Sequence, residues 1–259
     1  MLIVPMAAAN EFHPPSITDF FPEMLAGLPI TRINLVQILA TLVLVLILVL
    51  GTRRMTVVPG RFQSVLEFGF GFVRENIAYE LLGRKDGARF VPLLTAMFFS
   101  IFFLNITGII PFLNIAGTSV IGAPLVFAVV AYVTFIYAGI KRHGVFRFLR
   151  NSLVPGGVPI PLIPLIAIVE LISTFIARPA SLTLRLLMNM MVGHFMLVLF
   201  FSATHFFLLS ASWMTPLAVG TLGLGFAFML FEAFVAFLQA YVFTILTAVY
   251  IQLAVAEEH

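Results

Sequence analysis

The sequence predicts an all-α polytopic membrane protein, and three observations carry that prediction. The 259 residues are 61% hydrophobic and 10% charged, with a mean hydropathy of +1.13, more apolar surface than a single soluble core of this size can bury. Aliphatic runs such as residues 38–50 contain no charge and extend through their flanks to the roughly 20 residues that a spanning helix needs. The apolar residues run on instead of alternating in strands of about ten, which excludes a membrane β-barrel. The net charge of +3 and pI near 9.6 do not point to nucleic acid, because the basic residues flank apolar spans and are not interleaved with aromatics on a solvated face. Lipid is the implied surrounding. There is no cysteine, so disulfides and thiolate metal sites are excluded, and neither a metal cluster nor a cofactor motif is visible.

Residues 1–33 form a mixed, proline-punctuated segment, and 34–256 read as a single membrane domain. Glu11, Asp19 and Glu23 precede the first apolar run and Arg53 and Arg54 follow it, which is the wrong polarity for a cleavable signal peptide. The first span covers 34–51. Pro59-Gly60 breaks the chain, and over 61–82 Phe62, Leu66, Phe70, Val73, Ile77 and Leu81 recur at helical spacing with Gln63, Glu67, Arg74, Glu75 and Glu80 between them. That pattern predicts an amphipathic helix on the membrane surface. Spans at 90–110 and 124–140 follow, joined by an uncharged, turn-rich loop. Of the 14 Lys and Arg, seven fall at 53–89 and four at 141–150. Eleven therefore sit on two loops of one side, which predicts an outside N-terminus and a cytoplasmic C-terminus.

After a proline-rich stretch at 152–164, apolar sequence continues over 165–209, interrupted by Arg178-Pro179. Past a turn at 210–216 it resumes over 217–256. The first run amounts to roughly 65 to 70 Å of helix, about twice the hydrocarbon thickness. Each run is two short spans or one long, strongly tilted helix, and spacing alone leaves both open. No internal repeat suggests the inverted halves of a secondary transporter.

Within 165–256 the ionisable groups are few: Glu170, Arg178, Arg185, His194, His205, Glu232, Tyr241 and Tyr250. An arginine near mid-membrane costs about 2.5 to 3.5 kcal/mol on insertion scales and marks a functional pathway by default. Arg178 abuts Pro179, where it can snorkel or cap a helix segment. Ser181, Arg185 and Asn189 follow at steps of four and form one polar stripe, while His194 falls about 180° round the same helix. Glu232 and Gln239 are seven apart and also align, with Gly225 and Thr221 extending their face. Two polar stripes on adjacent helices point to one site. The plainer reading is a buried Arg185–Glu232 ion pair that fixes the hairpin; a metal-ligand role for His194 is disfavoured.

Residues 178–194, RPASLTLRLLMNMMVGH, resemble the signature of subunit a of the F-type ATP synthases, and 232–250, EAFVAFLQAYVFTILTAVY, resemble that family's last helix. The likeness extends over nearly the whole chain. Leu187 stands where the family favours Phe, and Met188 and Val192 are bulkier than usual. The resemblance implies about five membrane helices plus one surface helix, the last two membrane helices forming a long tilted hairpin against a rotating c-subunit ring. It implies b-type stator subunits and the rest of the synthase as further partners, a bacterial plasma membrane, and no catalysis by this chain itself. Arg185 would face the ring carboxylates. Glu232, His194, Gln239 and Asn189 would line the outer half-channel, and Glu170 with Ser173 and Thr174 the cytoplasmic one. Against this stand two readings from other classes, a self-contained ion transporter or channel gated by Arg185 and Glu232, and a purely structural stator anchor.

Overall fold

A computed structural model describes residues 31–53, 56, 58, 60–110, 116–153, 162–209 and 215–256. The N-terminal segment up to residue 30, most of the turn at 210–216 and the tail Glu257-Glu258-His259 lie outside the described residues. Five helices are long and apolar enough to cross a membrane, and no strand occurs among the described residues. The chain is an all-α, multi-pass membrane protein.

Helix α1 spans Arg32–Thr52 and is capped by Thr31, whose Oγ1 accepts the Asn34 N–H at 3.4 Å. Ile33, Val36, Ala40 and Leu44 form its buried edge, and Leu35, Leu42 and Leu46 stand out on the other side. One stripe meets protein and the rest meets lipid. Helix α2, Arg61–Val73, runs through a π turn at Arg74–Tyr79 into α3, Glu80–Ile106. Gly83 breaks the helix with φ 73° and ψ 165°, in a region that only glycine enters without strain. There the chain reverses, and α2 folds back along α3. Phe70 meets Phe99 at 5.5 Å between ring centroids and Phe72 meets Phe98 at 5.9 Å. At Gly87 a Cβ would lie 2.7 Å from the Ala78 carbonyl oxygen, so only glycine allows so close a crossing. Of the apolar face of the amphipathic segment, Val73 and Ile77 are buried in the main core, and the buried Leu66 packs against Gly51 of α1.

Helix α4, Gly122–His143, ends in the basic turn Lys141, Arg142 and His143 and stops at Gly144, φ 77°. A further helix, α5, spans Val145–Leu153, where the sequence shows only a basic loop. Its Phe148 is buried against Phe135, 5.5 Å between centroids, and against Gly139, which has no side chain to obstruct the ring. Helix α6, Ile163–Ile172, a π turn at Ser173–Ala177 and α7, Arg178–Leu209, form one continuous helical run of 47 residues, and α8, Thr215–Val255, is one helix of 41. The alternative of two short spans per run is thereby removed. At 1.5 Å per residue α8 is roughly 60 Å long, about twice the hydrocarbon thickness. Leu217, Leu224, Leu230 and Leu253 keep it apolar on its exposed surface throughout. Such a helix stays in hydrocarbon only when steeply tilted.

Helices α3, α4, α7 and α8 share the main core, in which Leu94, Ile101, Leu186 and Phe243 are fully buried. Alanines at 128, 131, 240 and 248 let the backbones approach, the close packing that replaces hydrophobic driving force in lipid. Beyond α3, residues 116–119 tuck under its end. Thr118 Oγ1 donates to Asn105 Oδ1 at 2.6 Å, the Gly117 N–H donates to Thr107 Oγ1 at 3.1 Å, and Gln37 Nε2 of α1 donates to the Gly117 carbonyl at 2.6 Å. Asn105 and Thr118 are wholly buried, so removing one orphans the other. Thr118→Val is expected to destabilise the protein by about 1 to 3 kcal/mol. Thermal unfolding in detergent checks this, and adding Asn105→Leu is expected to return part of the loss, because the orphaned amide goes too.

Candidate functional site

Helix α7 is two-faced by periodicity. Leu182, Leu186, Met190, Gly193 and Leu197 recur at steps of three and four and are buried against the bundle. The opposite face carries Ser181, Leu184, Arg185, Met188, Asn189 and Val192, all exposed. Leu184, Met188 and Val192 are 49%, 52% and 55% exposed, so the face around Arg185 is apolar and covered by no other helix of this chain. Arg185 lies near the middle of the 47-residue run Ile163–Leu209. Among the described residues the only ion pair within 4.0 Å joins Arg74 to Glu75. Arg185 and Glu232 are not a hairpin-fixing ion pair.

Helix α8 brings Glu232 and Gln239 to the seam with α7, 2% and 4% exposed. Asn189 Nδ2 donates to Gln239 Oε1 at 2.8 Å. Gly193 lies under Glu232, and a Cβ there would sit 2.7 Å from Glu232 Oε1. The missing side chain is the room the carboxylate uses. Neither carboxylate oxygen has a hydrogen-bond partner among the described residues. Arg185, Asn189, Gly193, Glu232 and Gln239 together line a cavity of about 500 Å³, with Phe228, Phe231 and Val235 among its apolar walls. Further along the seam Thr204 Oγ1 donates to Thr221 Oγ1 at 2.8 Å, and Gly225 packs against Phe200 and Phe201.

Four sequence-derived candidates, Arg185, Asn189, Glu232 and Gln239, thus meet at one cavity. His194, half-buried beside Gly193, does not line it. Glu170 lies in the last turn of α6 and Ser173 opens the π turn, both half-buried. Glu170 is about 22 Å along the helix from Arg185, so it belongs to a different level, where Thr174 is buried. The Arg178 guanidinium lies 5.3 Å from the Tyr250 ring centroid and 5.8 Å from that of Phe135, a cation–π seat where the sequence offered snorkelling or a helix cap. Gly193 was readable as the next step of four after Asn189, but a glycine carries no chemistry that would single it out. The aromatic walls Phe228 and Phe231 had no signal apart from general hydrophobicity. Among the described residues no group of three His, Asp or Glu is positioned to hold a metal ion.

The family model described as ATP synthase A chain matches residues 34–252. A protein of Rhodococcus erythropolis named ATP synthase subunit a is 46% identical over all of this chain and 96% of its own length. Proteins of the same name from Pseudarthrobacter chlorophenolicus and Streptomyces lividans are 35% and 36% identical, over 100% and 96% of this chain and 99% and 89% of theirs. The family model takes in both helices of the hairpin and every residue that lines the cavity between them, and this chain belongs to the ATP synthase A chain family.

Proposed function

We propose that this chain is the proton-channel stator subunit of an F-type ATP synthase, non-catalytic itself, held by b-type subunits and abutting a rotating c-subunit ring. The observation that carries the reading is the exposure of Arg185 on an apolar face halfway along a helix that lies in the membrane. A guanidinium keeps its proton at any working pH, and facing lipid it would cost at least about 2.5 to 3.5 kcal/mol. A partner surface bearing carboxylates offsets that cost. The same charge favours the ionised form of each carboxylate that passes, so a proton is released there and cannot slip directly across. A self-contained channel would enclose its gating charge within its own bundle; Arg185 points out of this one.

The cavity behind Arg185 supplies one half-channel in this reading. It is roomy enough for several waters, and the Glu232 carboxylate, the Asn189–Gln239 pair and His194 further round α7 are the relay groups. Glu170, Ser173 and Thr174, on the opposite side of Arg185 along the helix, form the second half-channel. With eleven basic residues in the stretches 53–89 and 141–150 that join the spans, that side is cytoplasmic and the N-terminus is outside. Each proton that crosses carries about 2.3 kcal/mol per 100 mV, and the ring turns that free energy into rotation.

Arg185→Ala is expected to leave the complex assembled and to reduce ATP-driven proton pumping in inverted vesicles to background, measured by quenching of a ΔpH-sensitive dye. Arg185→Lys is expected to restore only part of it, because an ammonium can lose its proton when desolvated and lacks the planar fork. Pumping by Arg185→Ala at the wild-type rate would remove the proposal. Gly193→Ala is expected to push the Glu232 side chain off its seat and to slow proton uptake on the order of tenfold, as small misplacements of reacting groups do. Unchanged passive proton conduction in Gly193→Ala vesicles would show that the seat is irrelevant to transport.

A further inference from the structure

At the basic end of the bundle, α3, α4 and the end of α8 enclose a second cavity, of about 490 Å³, remote from the hairpin seam. Arg89 of α3 and Lys141 and Arg142 of α4 line it together with one carboxylate, Asp86. Asp86 forms no ion pair among the described residues, and Arg142 already has an interaction of its own, so Arg89 and Lys141 are the two cations that the lining offers against one acid. Lys141 is held in position: its Nζ donates to Tyr137 Oη at 2.8 Å and lies 5.1 Å from that ring's centroid. An ammonium has three donors, and this contact uses one of them. Phe90, Ala138 and Val255 supply its apolar wall.

An apolar track leads from this cavity along the bundle. Val126, Val129, Val133, Tyr137 and Ile140 recur along α4 at steps of three and four and are 61%, 48%, 57%, 55% and 37% exposed. The stripe is about 21 Å long, against roughly 15 Å for half a hydrocarbon core. A soluble anion would use the cations and leave the stripe idle. A phospholipid uses both.

We propose that this cavity binds the phosphate group of an anionic phospholipid, with an acyl chain lying along the exposed stripe of α4. The donors are Arg89 and Lys141, and the lipid belongs to the leaflet on the basic side of the protein. The site is separate from the Arg185 cavity and does not depend on the proton-conducting reading.

The test is native mass spectrometry of the intact membrane complex in neutral detergent, titrated with dioleoylphosphatidylglycerol or dioleoylphosphatidylcholine. The wild-type complex is expected to retain phosphatidylglycerol preferentially. Its affinity for that lipid is expected to fall about fivefold for each charge removed in Arg89→Gln and Lys141→Gln, with phosphatidylcholine retention unchanged. The charge-keeping pair Arg89→Lys and Lys141→Arg is expected to hold the preference, which separates lost binding from lost folding. Equal retention of the two lipids by the wild type, or undiminished retention of phosphatidylglycerol by the glutamine variants, would overturn the proposal. Complete displacement by inorganic phosphate would overturn it in favour of a soluble anion. Lipid binding that emerges only on Glu257→Gln and Glu258→Gln would assign the cavity to this chain's own tail, and would overturn it too.

Discussion

A guanidinium keeps its proton at any working pH, and midway along an apolar helical run of 47 residues no carboxylate among the described residues lies within ion-pairing distance of Arg185 to balance that charge. The other side of α7 is fully engaged with the core through Leu182, Leu186 and Met190. In the proposed function the compensating charge comes from outside the chain, and transport follows from the same constraint. A charge that a single subunit cannot satisfy is satisfied by whatever carboxylate is brought against it. The exposed Leu184, Met188 and Val192 give that charge an apolar border.

Behind that face the hairpin is held in one register along its length. Arg178 against Tyr250, Asn189 against Gln239, Gly193 against Glu232 and Thr204 against Thr221 all belong to the same antiparallel alignment to within a turn. Polar pairs between membrane helices contribute only about 0.6 to 2 kcal/mol each, so their value here is positional. They fix Glu232 one helix away from Arg185 and in the same cavity, near enough to share water and without collapsing into an ion pair. A glycine at 193 and small residues along α8 make that proximity sterically possible.

Much of this was legible in the sequence because membrane physics is severe. Uncharged runs of about 20 residues, basic loops on one side, and an arginine that an apolar helix would not otherwise tolerate each have few explanations. The Arg185–Asn189 and Glu232–Gln239 stripes follow from helical periodicity alone. What stayed hidden depends on geometry that residue types do not encode. The π turns at Arg74–Tyr79 and Ser173–Ala177 have no compositional mark. Helix α5 is nine residues long and too basic to differ from a loop under the positive-inside pattern. The reversal at Gly83 needs one positive φ, and a lone glycine is compatible with many structures. The continuity of the two long helices came only from the family resemblance, because length excess alone fits a broken helix as well as a tilted one.

The central claim is that the outward face of α7 at Arg185 meets the carboxylate-bearing helix of a partner ring. Disulfide cross-linking in native membranes tests it most directly, because this chain has no cysteine of its own. Single cysteines at Leu184, Met188 and Val192, each paired with a cysteine one turn from the ring carboxylate, are predicted to cross-link. Cysteines at Leu182, Leu186 and Met190, on the buried face, are predicted not to. Cross-linking from the buried positions, or none from the exposed ones while the complex remains assembled, would contradict the account.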